Sequence, residues 1–180
     1  AIVSVVAKEQ IPTEMVAESL REFEGLSGRQ QLVREVKGRS FVNDTTATSP
    51  DGAIAALDRF CMNEEKDIIL IAGGSSKNLS FDKLAARIKE TCKFVVLLPG
   101  TATDELESAI EGVKSAHADT MEEAVGLAVS VSDEDDIILL SPGTASFGAF
   151  ENEFDRGGQF VDAVKGLKEE DLSGESTVTA

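Results

Sequence analysis

Three apolar runs punctuate the chain: 94–98, 137–140 and, within the predicted strand 67–72, the stretch that follows Asp67. Short apolar runs between polar or small residues read as strands buried on both faces. Elsewhere the apolar residues take helical spacing: Phe81, Leu84 and Ile88 within 81–90, and Phe160, Val164 and Leu167 within 156–168. Further helices are predicted over 51–60, 104–111 and 121–131. Ser49 as N-cap with Pro50 at the first helical position opens one of them. Thr120 with Glu123 makes a capping box before another. Two short strands, 31–36 and 40–43, flank Lys37-Gly38. Strand and helix alternate from 31 onward, which predicts an α/β fold: a mostly parallel sheet with helices on both faces, in three layers.

Before that alternation, 1–24 reads as two helical pieces, 1–9 and 13–24, broken at Ile11-Pro12 and closed by Gly25 and Gly28. The first piece is apolar nearly all round, so it is expected to pack against something larger than itself. Residues 171–180 are small and polar and read as a mobile tail.

With 180 residues the chain is about one domain, long enough to bury a core. No apolar run approaches the roughly 20 residues that span a bilayer, and the first residues lack the basic start of a signal peptide. Cys61 and Cys92 are far apart with no metal-ligand spacing, which suits reduced thiols of a cytoplasmic protein. The formal net charge of −16 argues against nucleic acid and against anionic membranes, both of which it would repel. In such a field a small anion binds only where local donors overcome the general charge.

Three loops that follow strands offer such donors: 43–50 (Asn43-Asp44-Thr45-Thr46-Ala47-Thr48-Ser49-Pro50), 73–77 (Gly73-Gly74-Ser75-Ser76-Lys77) and 141–146. In a parallel sheet they open on one side, at the carboxyl edge where α/β sheets bind ligands. Asp44, Thr48, Lys77 and Ser146 are then able to converge, and one cation with several hydroxyls and N–H groups suits a carboxylate or phosphate. Each loop has a plainer reading. Asp44 and Ser49 are caps of the helix that follows, a reading preferred for Ser49; Gly73-Gly74 is a tight turn, Lys77 a solvated lysine and Ser141-Pro142-Gly143 a turn. The acidic run 133–136 reads as a solvated loop rather than a metal site. His117 has no serine or cysteine partner in sight, and Gly-Thr-Ala-Ser-Phe-Gly is not a hydrolase nucleophile elbow. The chain also lacks G-x-x-x-x-G-K-[ST].

In order and spacing the loops resemble the C-terminal domain of the Mur ligases. "FVNDTTATSPDGAIAAL" is similar to the family's strand–NDSKATN–helix segment, and "IILIAGGSSKNLSF" to its GG-x-x-K loop. "IILLSPGTASFGAFENEFDRGGQF" resembles the SPA-x-AS…RG segment of the D-glutamate-adding member. Gly25-Leu26 with Arg29 looks like the family's GL-x-x-R junction. The resemblance implies a Rossmann-like fold, with 1–28 as the helical end of a central ATPase domain and 29–170 as the amino-acid-binding domain. It further implies an ATP- and Mg2+-dependent ligase of bacterial peptidoglycan synthesis. Such an enzyme activates UDP-N-acetylmuramoyl-L-alanine as an acyl phosphate, which the amine of D-glutamate attacks. Thr48 and Lys77 would hold one carboxylate of D-glutamate, and Ser146 the other, with Phe154 beside them. Arg29 and Asp44 would face ATP when the domains close.

The chain departs from the family pattern at three places: Thr46 stands for the usual lysine, Gly28 for a histidine, and Phe154 matches only with a one-residue shift, Glu153 taking the aligned place. The resemblance leaves the P-loop, the metal ligands and the nucleotide-sugar domain outside this sequence. The segment is therefore expected to contain no catalytic residue or metal ligand of its own and to be inactive alone. Two alternatives stand beside this reading: a stand-alone module for an anionic metabolite, and a domain like that of folylpolyglutamate synthase, which adds L-glutamate.

Overall fold

A computed structural model describes residues 11–23, 25–61, 66–168 and 170–172. The predicted helix over 1–9 lies outside them. Among the described residues the first helix is α1 (Thr13–Glu22), which has no buried residue and leaves Met15, Leu20 and Phe23 more than half exposed. Strands β1 (Gln31–Val36) and β2 (Arg39–Asn43) form an antiparallel hairpin, followed by α2 (Pro50–Phe60) and β3 (Ile68–Ala72). Then come α3 (Asp82–Thr91), β4 (Cys92–Leu97), α4 (Thr103–Ala109) and β5 (Ser115–His117). The chain closes with α5 (Met121–Ser130), β6 (Ile137–Leu140) and α6 (Glu153–Gly166). No helix among the described residues is long and apolar enough to cross a membrane.

The sheet runs β1-β2-β6-β3-β4-β5, and every pair except β1–β2 is parallel. Steps through α2, α3 and α4 carry the chain outward from β2 to β5 over one face. The α5 crossover returns beneath the other face and inserts β6 between β2 and β3. Alternation along β3 divides the core accordingly. Ile68, Leu70 and Ala72 pack with α2, α3 and α4, while Ile69 and Ile71 pack with α5 and α6. All five are fully buried, each side chain larger than alanine contributing about 1.5–3 kcal/mol by its removal from water.

Caps place the helix starts. Ser49 Oγ accepts from Gly52 N (3.4 Å), and Thr120 Oγ1 from Glu123 N (3.1 Å). In the second box the Glu123 carboxylate reaches the N–H of Asp119 rather than that of the cap residue. α6 begins three residues before the predicted start because Asn152 Oδ1 accepts from the N–H groups of Phe154 (2.9 Å) and Asp155 (3.0 Å). Its other end is held by Arg34 of β1, whose Nη1 donates to the carbonyls of Val164 (3.0 Å) and Leu167 (2.9 Å). The strand β5 was not legible in the sequence, since three residues paired along one side only are too short to show period two.

Leu172 is buried in the α5–α6 layer, so packed structure runs two residues past 170; residues 173–180 lie outside the described ones. The Cys92 thiol is pushed up to about 12, chiefly by burial, and is therefore an inert core side chain. The acidic run is tied to the fold by Lys93, which pairs with Asp133 and Asp136. His117 lies on the surface, its Nε2 3.1 Å from Glu107 Oε1.

Candidate active-site edge

Insertion of β6 between β2 and β3 makes the three loops neighbours. Asn43, Leu140 and Ile71 stand abreast in the register, so the loops leave the sheet side by side. Backbone bonds then stitch them together: Asp44 N to Leu140 O (2.8 Å), Gly143 N to Ala47 O (2.9 Å) and Gly73 N to Pro142 O (3.0 Å). Ser75 and Ala145 exchange a pair of bonds, 2.9 and 3.1 Å long, as a fragment of antiparallel ladder.

Gly73-Gly74 is more than a turn. Both residues have positive φ, 105° and 139°. A Cβ on Gly74 would lie 2.5 Å from Ala145 O and 2.6 Å from Thr144 Oγ1. Absence of a side chain therefore lets the Lys77 loop press against the Ser146 loop.

Lys77 Nζ donates to Thr48 Oγ1 at 2.9 Å, which joins the first and second loops at an exposed position. Ser146, 3% exposed, follows the bridge residue Ala145, and Ser75 Oγ donates to the carbonyl of Phe147. Thr48, Lys77 and Ser146 thus belong to one stitched set of loops. Phe154 lies elsewhere on the surface. It stands 67% exposed on the first turn of α6 and lines a separate cavity of about 260 Å3 with Gly28, Gln31 and Thr45.

Asp44 and Arg29 line a third place, a cavity of about 360 Å3 shared with Thr46. The Asp44 carboxylate is 5% exposed and does not cap α2. Its Oδ1 accepts from Gln30 N (3.1 Å) and its Oδ2 from Ser141 Oγ (2.8 Å). Burial holds its pKa above the usual carboxylate value of 3.8, against the lowering effect of Ser141, Gln30, Arg29 and Arg59. Two departures from the family pattern touch each other here: Thr46 Oγ1 (2.9 Å) and Thr46 N (3.1 Å) both donate to the carbonyl of Gly28. The threonine hydroxyl is therefore bonded across the junction at the edge of this cavity.

A raised native pKa means that the folded state holds the Asp44 proton more firmly than the unfolded chain. The resulting stabilisation is complete below about 3.8 and is lost as pH rises through the native value. Asp44→Asn keeps an acceptor for Gln30 N and removes the charge. Its stability relative to the native protein is expected to increase as pH rises from 4 towards 7, read by urea unfolding. A difference that stays constant with pH would show that Asp44 titrates normally.

One residue at this edge escaped the sequence reading. Arg156 enters the sequence reading only as the arginine of the …RG segment and the start of a helix, with no role attached, yet it is 0% exposed and lies beneath the loops. No local pattern signals a buried arginine; only packing does. Among the described residues no three of His, Cys, Asp and Glu are grouped to hold a metal ion. The donors described do not fit a magnesium site by themselves.

The family model described as "Mur ligase, glutamate ligase domain" matches residues 28–144. A UDP-N-acetylmuramoylalanine–D-glutamate ligase of Roseiflexus sp. (strain RS-1) is 44% identical over 155 residues, covering 83% of this chain and 32% of that protein. This chain spans about a third of the length of the curated relatives it matches. Among solved structures, the folylpolyglutamate synthase of Mycobacterium tuberculosis complexed with ADP and AMPPCP is similar at a TM-score of 0.64 and 16% identity, covering 93% of this chain and 38% of that one. The UDP-N-acetylmuramoylalanyl-D-glutamyl-2,6-diaminopimelate–D-alanyl-D-alanyl ligase of Acinetobacter baumannii has the same TM-score and identity, over 91% of this chain and 34% of that one. At such identities these structures speak for the fold alone, which is the Rossmann-like one. With the matched segment running from Gly28 into the third loop, and a relative 44% identical over 83% of this chain, the chain belongs to the Mur ligase family, in its glutamate ligase domain.

Proposed function

We propose that this chain is the D-glutamate-binding part of an ATP-dependent amide-forming ligase of bacterial peptidoglycan synthesis, working in the cytoplasm. Residues 1–28 end a preceding domain and 29–170 form the amino-acid-binding domain. The observation that carries the reading is the Lys77–Thr48 contact of 2.9 Å, stitched to the Ser146 loop, in a chain 44% identical to a D-glutamate ligase. A dicarboxylate needs two anion sites at a fixed separation. Lys77 with Thr48 supplies one, and Ser146 the other.

In the reaction, a carboxylate oxygen of UDP-N-acetylmuramoyl-L-alanine takes the γ-phosphoryl group of ATP and releases ADP. The amine of D-glutamate then attacks the acyl carbon, loses a proton and expels phosphate. The work of this chain is to hold that amine in place and to exclude water when the domains close. Arg29 and Asp44, on their shared cavity, face the nucleotide in the closed form. Phe154 stands exposed on the first turn of α6 and is proposed to contact D-glutamate. Magnesium ligands come from the part of the longer protein that this chain does not span.

Backbone NMR of the chain titrated with D- and L-glutamate at millimolar concentrations tests the reading. Shifts clustered at the amides of Thr48, Lys77 and Ser146, larger for the D-isomer, are expected. Preference for the L-isomer would favour the folylpolyglutamate-like alternative. No response to either, with a response to another small anion, would favour a stand-alone binding module.

A further inference from the structure

The Arg156 guanidinium is wholly buried and forms a fork between two loops. Its Nη2 donates to the carbonyl of Thr45 (2.8 Å), its Nε to Thr45 Oγ1 (3.1 Å) and its Nη1 to the carbonyl of Thr144 (3.4 Å). Thr45 precedes Thr48 by three residues, and Thr144 precedes Ser146 by two. One rigid, planar group therefore spans the roots of both proposed anion-binding loops.

Neighbouring contacts keep that group in place. Thr45 Oγ1 donates to the carbonyl of Glu153 (2.7 Å), and Asn43 Nδ2 to that of Gly157 (3.3 Å). A Cβ on Gly157 would meet Thr45 Cγ2 at 2.5 Å, so the α6 backbone lies directly against the first loop. No carboxylate among the described residues forms an ion pair with Arg156; the acid acting on it from further off is Glu153. Burial lowers the guanidinium pKa to about 10, which leaves it charged at neutral pH. A buried cation whose partners are carbonyls and a hydroxyl is not neutralised by its own shell. In a protein of net charge −16 it provides local positive potential beneath the edge where an anion would sit.

We propose that Arg156 is the positioning residue of the carboxyl-edge anion site: it sets the separation of the Thr48 and Ser146 loops and biases that edge toward a dicarboxylate. The proposal rests on reading the edge as the D-glutamate site, but its geometric half is measurable without ligand.

The test uses this chain with Arg156→Lys, which keeps the charge and loses the fork, and with Thr45→Val, which removes the acceptor of the Nε bond together with the bond of Thr45 Oγ1 to the Glu153 carbonyl. Amide hydrogen exchange without ligand is read at 45–48 and 144–146 and, as a reference, at Val95 and Val96 of the buried strand β4. In Arg156→Lys both loops are expected to exchange about tenfold faster relative to β4, and Thr45→Val to follow with a smaller change in the first loop. D-Glutamate affinity, from the same NMR signals, falls about tenfold in Arg156→Lys, while native protein binds. Loops unchanged in both variants, or loosened only in step with β4, overturn the positioning role; should Arg156→Lys fail to fold, Thr45→Val decides alone. Loops that loosen in a chain whose native form ignores D-glutamate would leave the positioning intact and refute the D-glutamate reading instead.

Discussion

Lys77→Ala, in a full-length ligase carrying this segment, raises the KM for D-glutamate about 10- to 100-fold and leaves that for ATP within about twofold. The range follows from a charge-assisted bond to a carboxylate, worth about 1.5–3 kcal/mol. The side chain is exposed and, among the described residues, bonds Thr48 Oγ1, so removing it leaves the fold within about 0.5 kcal/mol of native. Loss of function without loss of stability is thus the signature. Lys77→Arg retains the charge but misplaces it, and recovers part of the affinity. Steady-state kinetics with each substrate varied in turn is the measurement. A D-glutamate KM unchanged in Lys77→Ala would remove Lys77 from the site and with it the proposed anchoring of the substrate.

Gly74→Ala acts in the opposite way, on structure first. The new methyl would stand 2.5 Å from Ala145 O and 2.6 Å from Thr144 Oγ1, on a residue with φ of 139°. Neither neighbour can yield easily: Ala145 is paired with Ser75, and Thr144 is 3% exposed with its carbonyl held by Arg156. Left-handed strain and overpacking together cost about 3 kcal/mol, or a fall of about 10 °C in Tm. Gly126→Ala on α5 is the matched control, since nothing lies within 4 Å of its Cβ, and it stabilises the helix by about 0.5–1 kcal/mol. Calorimetry of the two variants side by side separates a general glycine effect from this contact. Equal Tm values would mean that the loops can part at little cost.

The contrast between Lys77 and Gly74 shows how unevenly the site was written into the chain. Lys77, a solvated lysine on the plainer reading, stands out as a candidate because it is the one cation of the 73–77 loop and that loop resembles the family's GG-x-x-K. Gly74 is recognisable only as a turn; its close approach to Thr144 depends on a loop some seventy residues away. Arg156 lies further out of reach. In sequence it stands in the …RG segment with no role attached, and its burial shows only in the packing of α6 against the loops.

Local chemistry settled the elements themselves. Unbroken apolar runs specified β3, β4 and β6 because a strand covered on both faces has no polar position to spare. Ser49, Pro50 and Thr120 specified helix starts because orphan N–H groups need a nearby acceptor. The motif-bearing loops pointed to an anion-binding carboxyl edge for the same kind of reason. Tertiary structure alone decided that β6 lies between β2 and β3, since strand order depends on which crossover packs against which face and leaves no trace in a strand's own residues. That insertion made the Thr48, Lys77 and Ser146 loops neighbours and buried Asp44 and Arg156 among them.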